Sequence, residues 1–252
     1  MLHVVATPIG NLGDLTPRAL EALRTADLIA CEDTRRTWAL LAAFQLPRPE
    51  MLSYRQGNEE RAGGRLIAAI RDGRNVVLCS DGGYPGISDP GYRLVRRVAQ
   101  EGLPFDVLPG ASAVDVALLL SGLSTSSYTF KGFPPRRPGV LRRFFEEERE
   151  AAHTLVCFES PFRVGKTLAA AREALGDREA AVCVELTKLH ERVTRGFLSA
   201  LEKQFSGQPV RGEVTLVIAG ANPKFARPEE DVVRRERSRT KRREYGEIGV
   251  YE

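Results

Sequence analysis

The sequence predicts an α/β protein made of two α/β domains. Apolar, strand-like runs alternate with amphipathic, helix-like stretches through the first half of the 252 residues, which favours a mostly parallel sheet. A second series of strands and helices begins near Ser126 and is expected to form its own mixed sheet. Hydrophobic residues make up 42% and charged residues 28% of the chain, which is enough to bury a sizeable core.

In the first series, continuous apolar runs predict strands and apolar residues at helical spacing predict helices. Thr16 is a natural N-cap, Pro17 suits the first helical position, and Asp89 with Pro90 is expected to begin a later helix in the same way. We expect strands at 2–6, 27–31, 75–79 and 105–110, and helices at 16–26, 34–44, 65–73, 94–102 and 112–123.

In the second series, strands are expected at 127–132, 153–160, 180–187 and 212–220, and helices at 139–150, 163–176 and 198–205. The predicted domains are therefore 1–112, with a parallel sheet, and 113–222, with a mixed sheet. Loops at strand ends would line the cleft between them. The remaining stretch, 223–252, is rich in arginine and is expected to be a flexible basic tail.

Composition also excludes several protein classes. The chain has four cysteines, each at or near the end of an apolar run: Cys31, Cys79, Cys157 and Cys183. Their spacing is not that of zinc ligands, so we expect buried reduced thiols and no metal site. No apolar stretch approaches the roughly 18 residues of a membrane span. The start does not read as a signal peptide, so a cytoplasmic protein is expected. The net charge of +4 and pI near 9.0 are compatible with a nucleic-acid partner.

Four loops that follow the predicted strands carry the polar residues of interest. The first runs from Thr7 to Thr16 and matches neither a dinucleotide fingerprint nor a P-loop, which disfavours those ligands. The second, from Glu32 to Thr37, either caps a helix, with Arg35 pairing to Glu32, or contacts a polar substrate. Both interpretations remain open at this point.

In the third loop, from Ser80 to Gly91, Asp81 either accepts from an amine or a ribose hydroxyl, or closes a turn on its own backbone. The fourth loop, 109–113, enters a helix through small residues, whose bare N–H groups suit a carboxylate. If the four loops converge, they indicate one small bound molecule.

Taken together, these segments resemble the tetrapyrrole methylase superfamily. The similar motifs are "TPIGNLGDLTPRALE", "CEDTRRT", "SDGGYPGISDPG", "LPGASA", "FESPFR", "ELTKLHE" and "RGEVTLVIAG", in the expected order over about 2–220. More narrowly, they look like its ribosomal RNA branch, which methylates the ribose 2′-hydroxyl of a decoding-centre cytidine in 16S ribosomal RNA. One departure is Tyr84, which stands where that family commonly has threonine.

The resemblance implies a class III methyltransferase that binds S-adenosylmethionine through several loops between its two domains. It also implies 16S ribosomal RNA as substrate, within the small ribosomal subunit, no membrane partner, and a homodimer. The implied cofactor residues are Pro8, Ile9, Gly10, Asp81, Gly82, Gly83, Tyr84, Ser112, Ala113, Ser160, Leu186 and Gly212.

Methyl transfer to a weakly nucleophilic hydroxyl needs a general base, or a cation that stabilises the developing alkoxide. The preferred candidates are Glu32, Asp33 and Lys188, and Glu185 and Glu191 are further possibilities at the cleft. Contacts to RNA are expected from arginines, some of them interleaved with aromatic residues: Arg35, Arg36, Arg136, Arg137, Arg142, Arg143 and Arg163. The stretch at 133–145 is equally compatible with an amphipathic helix whose basic side only faces solvent.

Two alternative functions remain. A methyltransferase of the same superfamily could act on a corrinoid or porphyrin precursor, and a test of corrinoid binding would separate it from an RNA enzyme. A non-enzymatic RNA-binding protein could have kept the fold, and affinity for the methyl donor would argue against it.

Overall fold

The chain forms two five-stranded sheets, each with its own helices, in a computed structural model that describes residues 1–207 and 209–222. The expected basic tail, 223–252, lies outside the described residues. One compact unit comprises Met1–Val116 together with Glu185–Glu191, and the other comprises Ala117–Val184 with the described residues from 192 onward. The two-sheet α/β architecture confirms the predicted fold class, while the domain boundary at 112 stays a prediction.

The first sheet is parallel throughout, with strand order β3-β2-β4-β1-β5. Because parallel strands end at one edge, the loops after β1, β2, β4 and β5 all leave from that edge. The elements are β1 (Leu2–Val5), α1 (Pro17–Arg24), β2 (Leu28–Cys31), α2 (Thr34–Ala43), β3 (Glu50–Ser53), α3 (Glu59–Arg71), β4 (Val76–Cys79), α4 (Tyr92–Gln100), β5 (Phe105–Leu108) and α5 (Ala113–Ser121).

Alternate residues of these strands enter two separate cores. Val4 and Leu78 pack with α3 and α4, whereas Val5 and Val77 pack with α1 and α2. Both faces of the central strands are therefore dry, which explains why their sequences are continuously apolar rather than alternating.

Local capping follows the sequence at α1 but not at α4. Thr16 accepts a hydrogen bond from the Ala19 amide at 3.3 Å, and Pro17 opens α1, as predicted. The prediction of Asp89 as a cap is wrong, because α4 begins at Tyr92 and its N-cap is Gly91. A Cβ at Gly91 would lie 2.7 Å from the Gly86 nitrogen, so only glycine fits this turn.

The second sheet is mixed, as predicted, with strand order β6-β7-β10-β8-β9. β6 and β7 are parallel, and the other neighbours are antiparallel. The elements are β6 (Tyr128–Phe130), α6 (Pro138–Glu146), β7 (Thr154–Glu159), α7 (Val164–Leu175), β8 (Glu179–Val184), β9 (Arg192–Phe197), α8 (Leu198–Phe205) and β10 (Val214–Ile218).

Two strands, β3 and β9, were not predicted from the sequence. Each is an edge strand of its sheet and contains no fully buried residue. Neither carries the continuous apolar run by which the other strands were recognised, so the pairing of each is decided by the neighbouring strand.

All four cysteines are buried and free, which confirms their expected role as core residues. Burial raises the pKa of the Cys31, Cys79 and Cys157 thiols, which keeps them protonated. None of the helices within the described residues is long and apolar enough to cross a membrane.

Candidate active site

The loops that follow β1 and β4 are joined directly by their backbones. Thr7 and Gly83 exchange two hydrogen bonds, of 3.0 and 2.9 Å, in an isolated antiparallel bridge. The Thr7 hydroxyl donates to the Ser80 carbonyl at 3.2 Å, and the Ser80 hydroxyl donates to the Gly83 carbonyl at 3.2 Å. Two of the predicted cofactor loops are thereby held in contact.

The two glycines that follow Asp81 lie against the loop after β1. A Cβ at Gly82 would lie 3.5 Å from the Pro8 carbonyl oxygen, and one at Gly83 would lie 3.5 Å from Cγ2 of Ile9. Gly83 also has a φ of 79°, which disfavours any other residue. The structure thus brings Pro8, Ile9, Gly82 and Gly83 together, as the cofactor prediction requires.

The loop after β5 joins the same cluster through Tyr84. The Gly110 amide donates to the Tyr84 hydroxyl at 3.0 Å, and a Cβ at Gly110 would lie 3.0 Å from Cβ of Ala6. The tyrosine that stands in place of the family's threonine therefore ties the loop after β4 to the loop after β5. This contact was not predicted, and the departure from the motif was its only sequence signal.

Ser112 directly precedes the helix that follows this loop. Its hydroxyl accepts from the Asp115 amide at 3.4 Å, and its carbonyl accepts from the Val116 amide at 3.1 Å. Ser112 thus caps α5, whose first residue is Ala113. The start of this helix offers backbone N–H groups of the kind that suit a carboxylate.

Residues 185–191 lie against the loop after β1. A Cβ at Gly10 would lie 2.3 Å from Cγ of Lys188 and 3.0 Å from the Leu186 carbonyl oxygen. Glu185 and Thr187 have φ angles of 54° and 64°, an uncommon conformation for residues other than glycine. The segment that carries Leu186 and Lys188 therefore packs so closely against Gly10 that it leaves no room for a side chain there.

Hydrogen bonds within the segment fix its acidic and basic side chains. The Lys188 ammonium donates to Glu185 at 2.9 Å, and the Thr187 amide donates to the Glu191 carboxylate at 2.7 Å. All of these residues belong to the first unit, together with the loops they approach.

Three carboxylates gather where β2 and β4 end. Asp81 accepts from the Asp33 amide at 3.3 Å and from the Arg36 guanidinium at 3.0 Å. Asp81 therefore bridges two loops rather than closing a turn on its own backbone. Asp33 caps α2, as the helix-cap alternative had it, but Arg35 pairs with Asp33 at 2.8 Å and not with Glu32.

The environments of Glu32 and Asp33 drive their protonation in opposite directions. Burial, and then the negative charge of Asp81, raise the pKa of the Glu32 carboxyl above its ordinary value. Hydrogen bonds from Arg35 lower the pKa of Asp33 to about 2. Glu32 is therefore the more basic of the two carboxylates, and Asp33 is committed to its helix cap.

In the second unit, Ser160 and Gly212 lie just beyond the ends of two neighbouring strands, β7 and β10. Each is close to a paired strand end, because Glu159 of β7 is opposite Val214 of β10. The loops that carry them are tied by a hydrogen bond of 3.0 Å from the Val210 amide to the Pro161 carbonyl. The structure thus brings these two predicted cofactor residues to neighbouring loops.

The seven predicted RNA-binding arginines fall into two groups. Four guanidinium groups have partners within the protein: Arg35 with Asp33, Arg36 with Asp81, Arg142 with Glu146, and Arg163 with the carbonyls of Pro134 and Pro135. Arg136, Arg137 and Arg143 are exposed and have no such partner among the described residues. These three remain available to phosphates.

Within the part of the chain that the structure describes, no group of three His, Cys, Asp or Glu side chains is placed to hold a metal ion.

A family model described as Tetrapyrrole (Corrin/Porphyrin) Methylases matches residues 1–202. The chain belongs to this family. Membership in the tetrapyrrole methylases confirms the resemblance that the sequence motifs indicated, and the matched range covers all the loops after β1, β2, β4 and β5.

Several curated tetrapyrrole methylase relatives share the name Ribosomal RNA small subunit methyltransferase I. The Synechocystis sp. protein is 42% identical over 224 residues, which cover 88% of this chain and 80% of that protein. The Thermotoga maritima protein is 41% identical over 219 residues, which cover 87% of this chain and 98% of that protein. Both relatives therefore match this chain over most of their own length.

Two solved structures share the fold of this tetrapyrrole methylase. A uroporphyrin-III-C-methyltransferase from Thermus thermophilus matches with a TM-score of 0.61 at 23% identity, covering 86% of this chain and 93% of that chain. A diphthine synthase matches with a TM-score of 0.66 at 19% identity, covering 86% and 89%. At these identities the likeness supports the fold alone.

Proposed function

We propose that this protein transfers the methyl group of S-adenosylmethionine to the ribose 2′-hydroxyl of a decoding-centre cytidine in 16S ribosomal RNA. The carrying observation is that curated relatives over 40% identical share the name of a small-subunit ribosomal RNA methyltransferase. This confirms the expectation of an S-adenosylmethionine-dependent RNA methyltransferase. The choice of the 2′-oxygen follows from the resemblance of the motifs.

The loop cluster of the first unit fits the methyl donor. When bound, S-adenosylmethionine supplies a methyl group on a positively charged sulfur. Gly82 is half-buried and lies beside Pro8 and Ile9, and the absence of a side chain there suits close contact with the flat adenine ring. Asp81 keeps unused acceptor capacity beyond its two hydrogen bonds, since an ionised carboxylate has about four lone-pair sites.

Glu32 is the proposed general base. With the donor bound, Glu32 would accept the proton of the 2′-hydroxyl while that oxygen takes the methyl group and the broken C–S bond leaves a neutral thioether. The raised pKa of Glu32 brings it closer to the pKa of the hydroxyl. Asp33 is less suited, because the Arg35 hydrogen bonds stabilise its charge. Lys188, held by Glu185, is proposed to stabilise negative charge on the attacking oxygen.

The proposed partner is 16S ribosomal RNA within the small subunit. Arg136, Arg137 and Arg143 support phosphate contact, since their charges are not used by the described residues. A homodimer is proposed because a second copy would widen the surface that meets so large a substrate. A cytoplasmic location is proposed from the four buried reduced cysteines, which suit a reducing compartment.

The deciding experiment is methyl transfer from labelled S-adenosylmethionine to unmodified small ribosomal subunits, with naked 16S RNA alongside. Alkaline hydrolysis then maps the product, because a 2′-O-methyl group removes the nucleophile that cleaves the adjacent phosphodiester. One alkali-resistant step at a decoding-centre cytidine is expected. If neither RNA is labelled while the donor still binds, the function is wrong, and corrinoid and porphyrin precursors are the next substrates to assay.

A further inference from the structure

Two exposed phenylalanine side chains in the second unit have no role in the site described above. Phe133 is 57% exposed and lies in the loop at 131–137, between β6 and α6. Phe162 is 78% exposed and lies in the loop at 160–163, between β7 and α7. A single exposed ring needs no explanation, but two rings on adjoining loops mark a surface that a partner can cover.

The two loops are fastened to each other by Arg163. Its guanidinium donates to the Pro134 carbonyl at 3.2 Å and to the Pro135 carbonyl at 2.8 Å. Arg163 directly follows Phe162, and Pro134 directly follows Phe133. The two phenylalanines are therefore placed by one shared set of contacts.

Buried contacts make both loops rigid before any partner arrives. Glu159 is 2% exposed and accepts hydrogen bonds from the Ser160 amide, at 2.6 Å, and from the Thr167 hydroxyl. On the other loop, the Phe133 ring packs against Phe158 with ring centroids 5.6 Å apart. A rigid surface loses little conformational entropy on binding, which favours affinity.

The charge around these rings indicates the kind of partner. Nearby acidic residues are already paired, Glu146 with Arg142, and Glu147 and Glu148 with Lys131. The guanidinium groups of Arg136, Arg137 and Arg143 are exposed and have no hydrogen-bond or ion-pair partner within residues 1–207 and 209–222. Aromatic rings beside uncompensated arginines suit a ligand with flat bases and a phosphate backbone.

We propose that Phe133 and Phe162 form a stacking surface for unpaired bases of the RNA substrate, with Arg136 and Arg137 neutralising the adjacent phosphates. This inference rests on the proposed function and adds how the RNA is held. The bases must be unpaired, because the faces of paired bases in a duplex are covered by their neighbours.

The test measures binding of a short single-stranded RNA that carries 2-aminopurine, whose fluorescence is quenched on stacking. Phe162→Leu keeps an apolar side chain without a ring, and we expect it to weaken binding roughly 5- to 100-fold and to reduce quenching. Phe162→Trp keeps a ring and should bind as wild type or tighter. Phe133→Leu should weaken binding in the same direction.

Salt dependence separates stacking from charge. Phe162→Leu should leave the slope of log affinity against log salt unchanged, because the ring neutralises no phosphate. Arg136→Ala with Arg137→Ala should lower that slope by about 0.7 for each phosphate that the variant no longer neutralises. Thermal unfolding and donor affinity serve as folding controls. If Phe133→Leu unfolds, the Phe162 variants alone decide the test. Phe162 is 78% exposed, so its replacement should not disturb folding.

Wild-type RNA affinity and quenching in Phe162→Leu would overturn the proposal. Failure of the proposed function would give a different experimental result from failure of the stacking surface. The wild-type protein would then transfer no methyl group to small subunits, yet the ring-dependent binding of single-stranded RNA would persist and support the stacking surface by itself.

Discussion

In the first sheet every strand runs in one direction, whereas in the second sheet β10 lies antiparallel to both of its neighbours. The parallel sheet collects four polar loops at one edge. Thr7, Gly83, Tyr84 and Gly110 join three of them, and Asp81 with Arg36 joins the fourth. In the mixed sheet, the parallel pair β6 and β7 places Phe133 and Phe162 on adjoining loops. Parallel neighbours thus determine in both sheets which loops meet.

The comparison assigns different tasks to the two regions. The loops of the first unit are tied to one another by backbone contacts and ion pairs, which suits a small ligand that must be positioned accurately. The stacking surface of the second unit is exposed and carries uncompensated positive charge, which suits a large polyanion. Variants in the first region should change methyl transfer and donor affinity, and variants in the second should change RNA affinity.

The largest effect is expected from Glu32→Gln. Removal of the general base should lower the rate of methyl transfer by roughly 10²- to 10⁴-fold with donor affinity unchanged. In the wild-type protein, the rate should fall as the pH drops through the Glu32 pKa, which lies above 4.5, because the protonated carboxyl cannot accept a proton. Rates over a pH series test both points, and Glu60→Gln, an exposed change on α3, is the control. Unchanged turnover in Glu32→Gln would remove this residue from the mechanism.

A smaller effect is expected from Gly10→Ala. The new Cβ would lie 2.3 Å from Cγ of Lys188, so residues 185–191 must shift. Overpacking of this kind costs about 1–3 kcal/mol in the free energy of unfolding, and we expect donor affinity to fall as well. Gly13→Ala in the same loop is the matched control, because its Cβ would meet only the movable Asn11 side chain at 3.2 Å. Calorimetric titration with the donor and denaturant unfolding provide the measurements. A fall in RNA affinity with donor affinity unchanged would contradict the assignment of donor binding to the first region.

Tyr84→Phe should have a modest effect on stability. It removes the acceptor of the Gly110 amide and should lower the free energy of unfolding by about 0.5–1.5 kcal/mol. Tyr92→Phe removes the hydroxyl of an exposed tyrosine and should change stability much less. Denaturant unfolding compares the two variants. Equal stability of both would show that the bond between the two loops contributes nothing measurable.

The smallest effect concerns the Asp33 helix cap at low pH. The folded-state pKa of about 2 lies below the ordinary 3.8, so the stabilisation by Asp33 is present above about pH 4 and is lost as the pH falls towards 2. Asp33→Asn keeps an N-cap without the titration, so its stability should depend less on pH over this range. Unfolding at several acidic pH values measures this difference. Identical acid dependence in both proteins would contradict the assignment.

Much of the fold was predictable because its causes are local. Continuous apolar runs identified the central strands, and Thr16 with Pro17 identified the start of α1. Predictions failed where contacts outside the element itself decide the outcome. α4 begins at Tyr92 rather than after Asp89 because Gly91 packs against Gly86, and β3 and β9 exist because a neighbouring strand pairs with them.

The candidate site, like the fold, could be predicted only in part from the sequence. Motifs in the sequence identified its loops and the family of the protein, since each motif is a short continuous stretch. Only the tertiary structure decided that Asp81 pairs with Arg36, that Tyr84 holds Gly110, and that Arg163 joins the loops of Phe133 and Phe162. The physical reason is that residues far apart in the chain meet according to strand order and register, and no local pattern of residues encodes either.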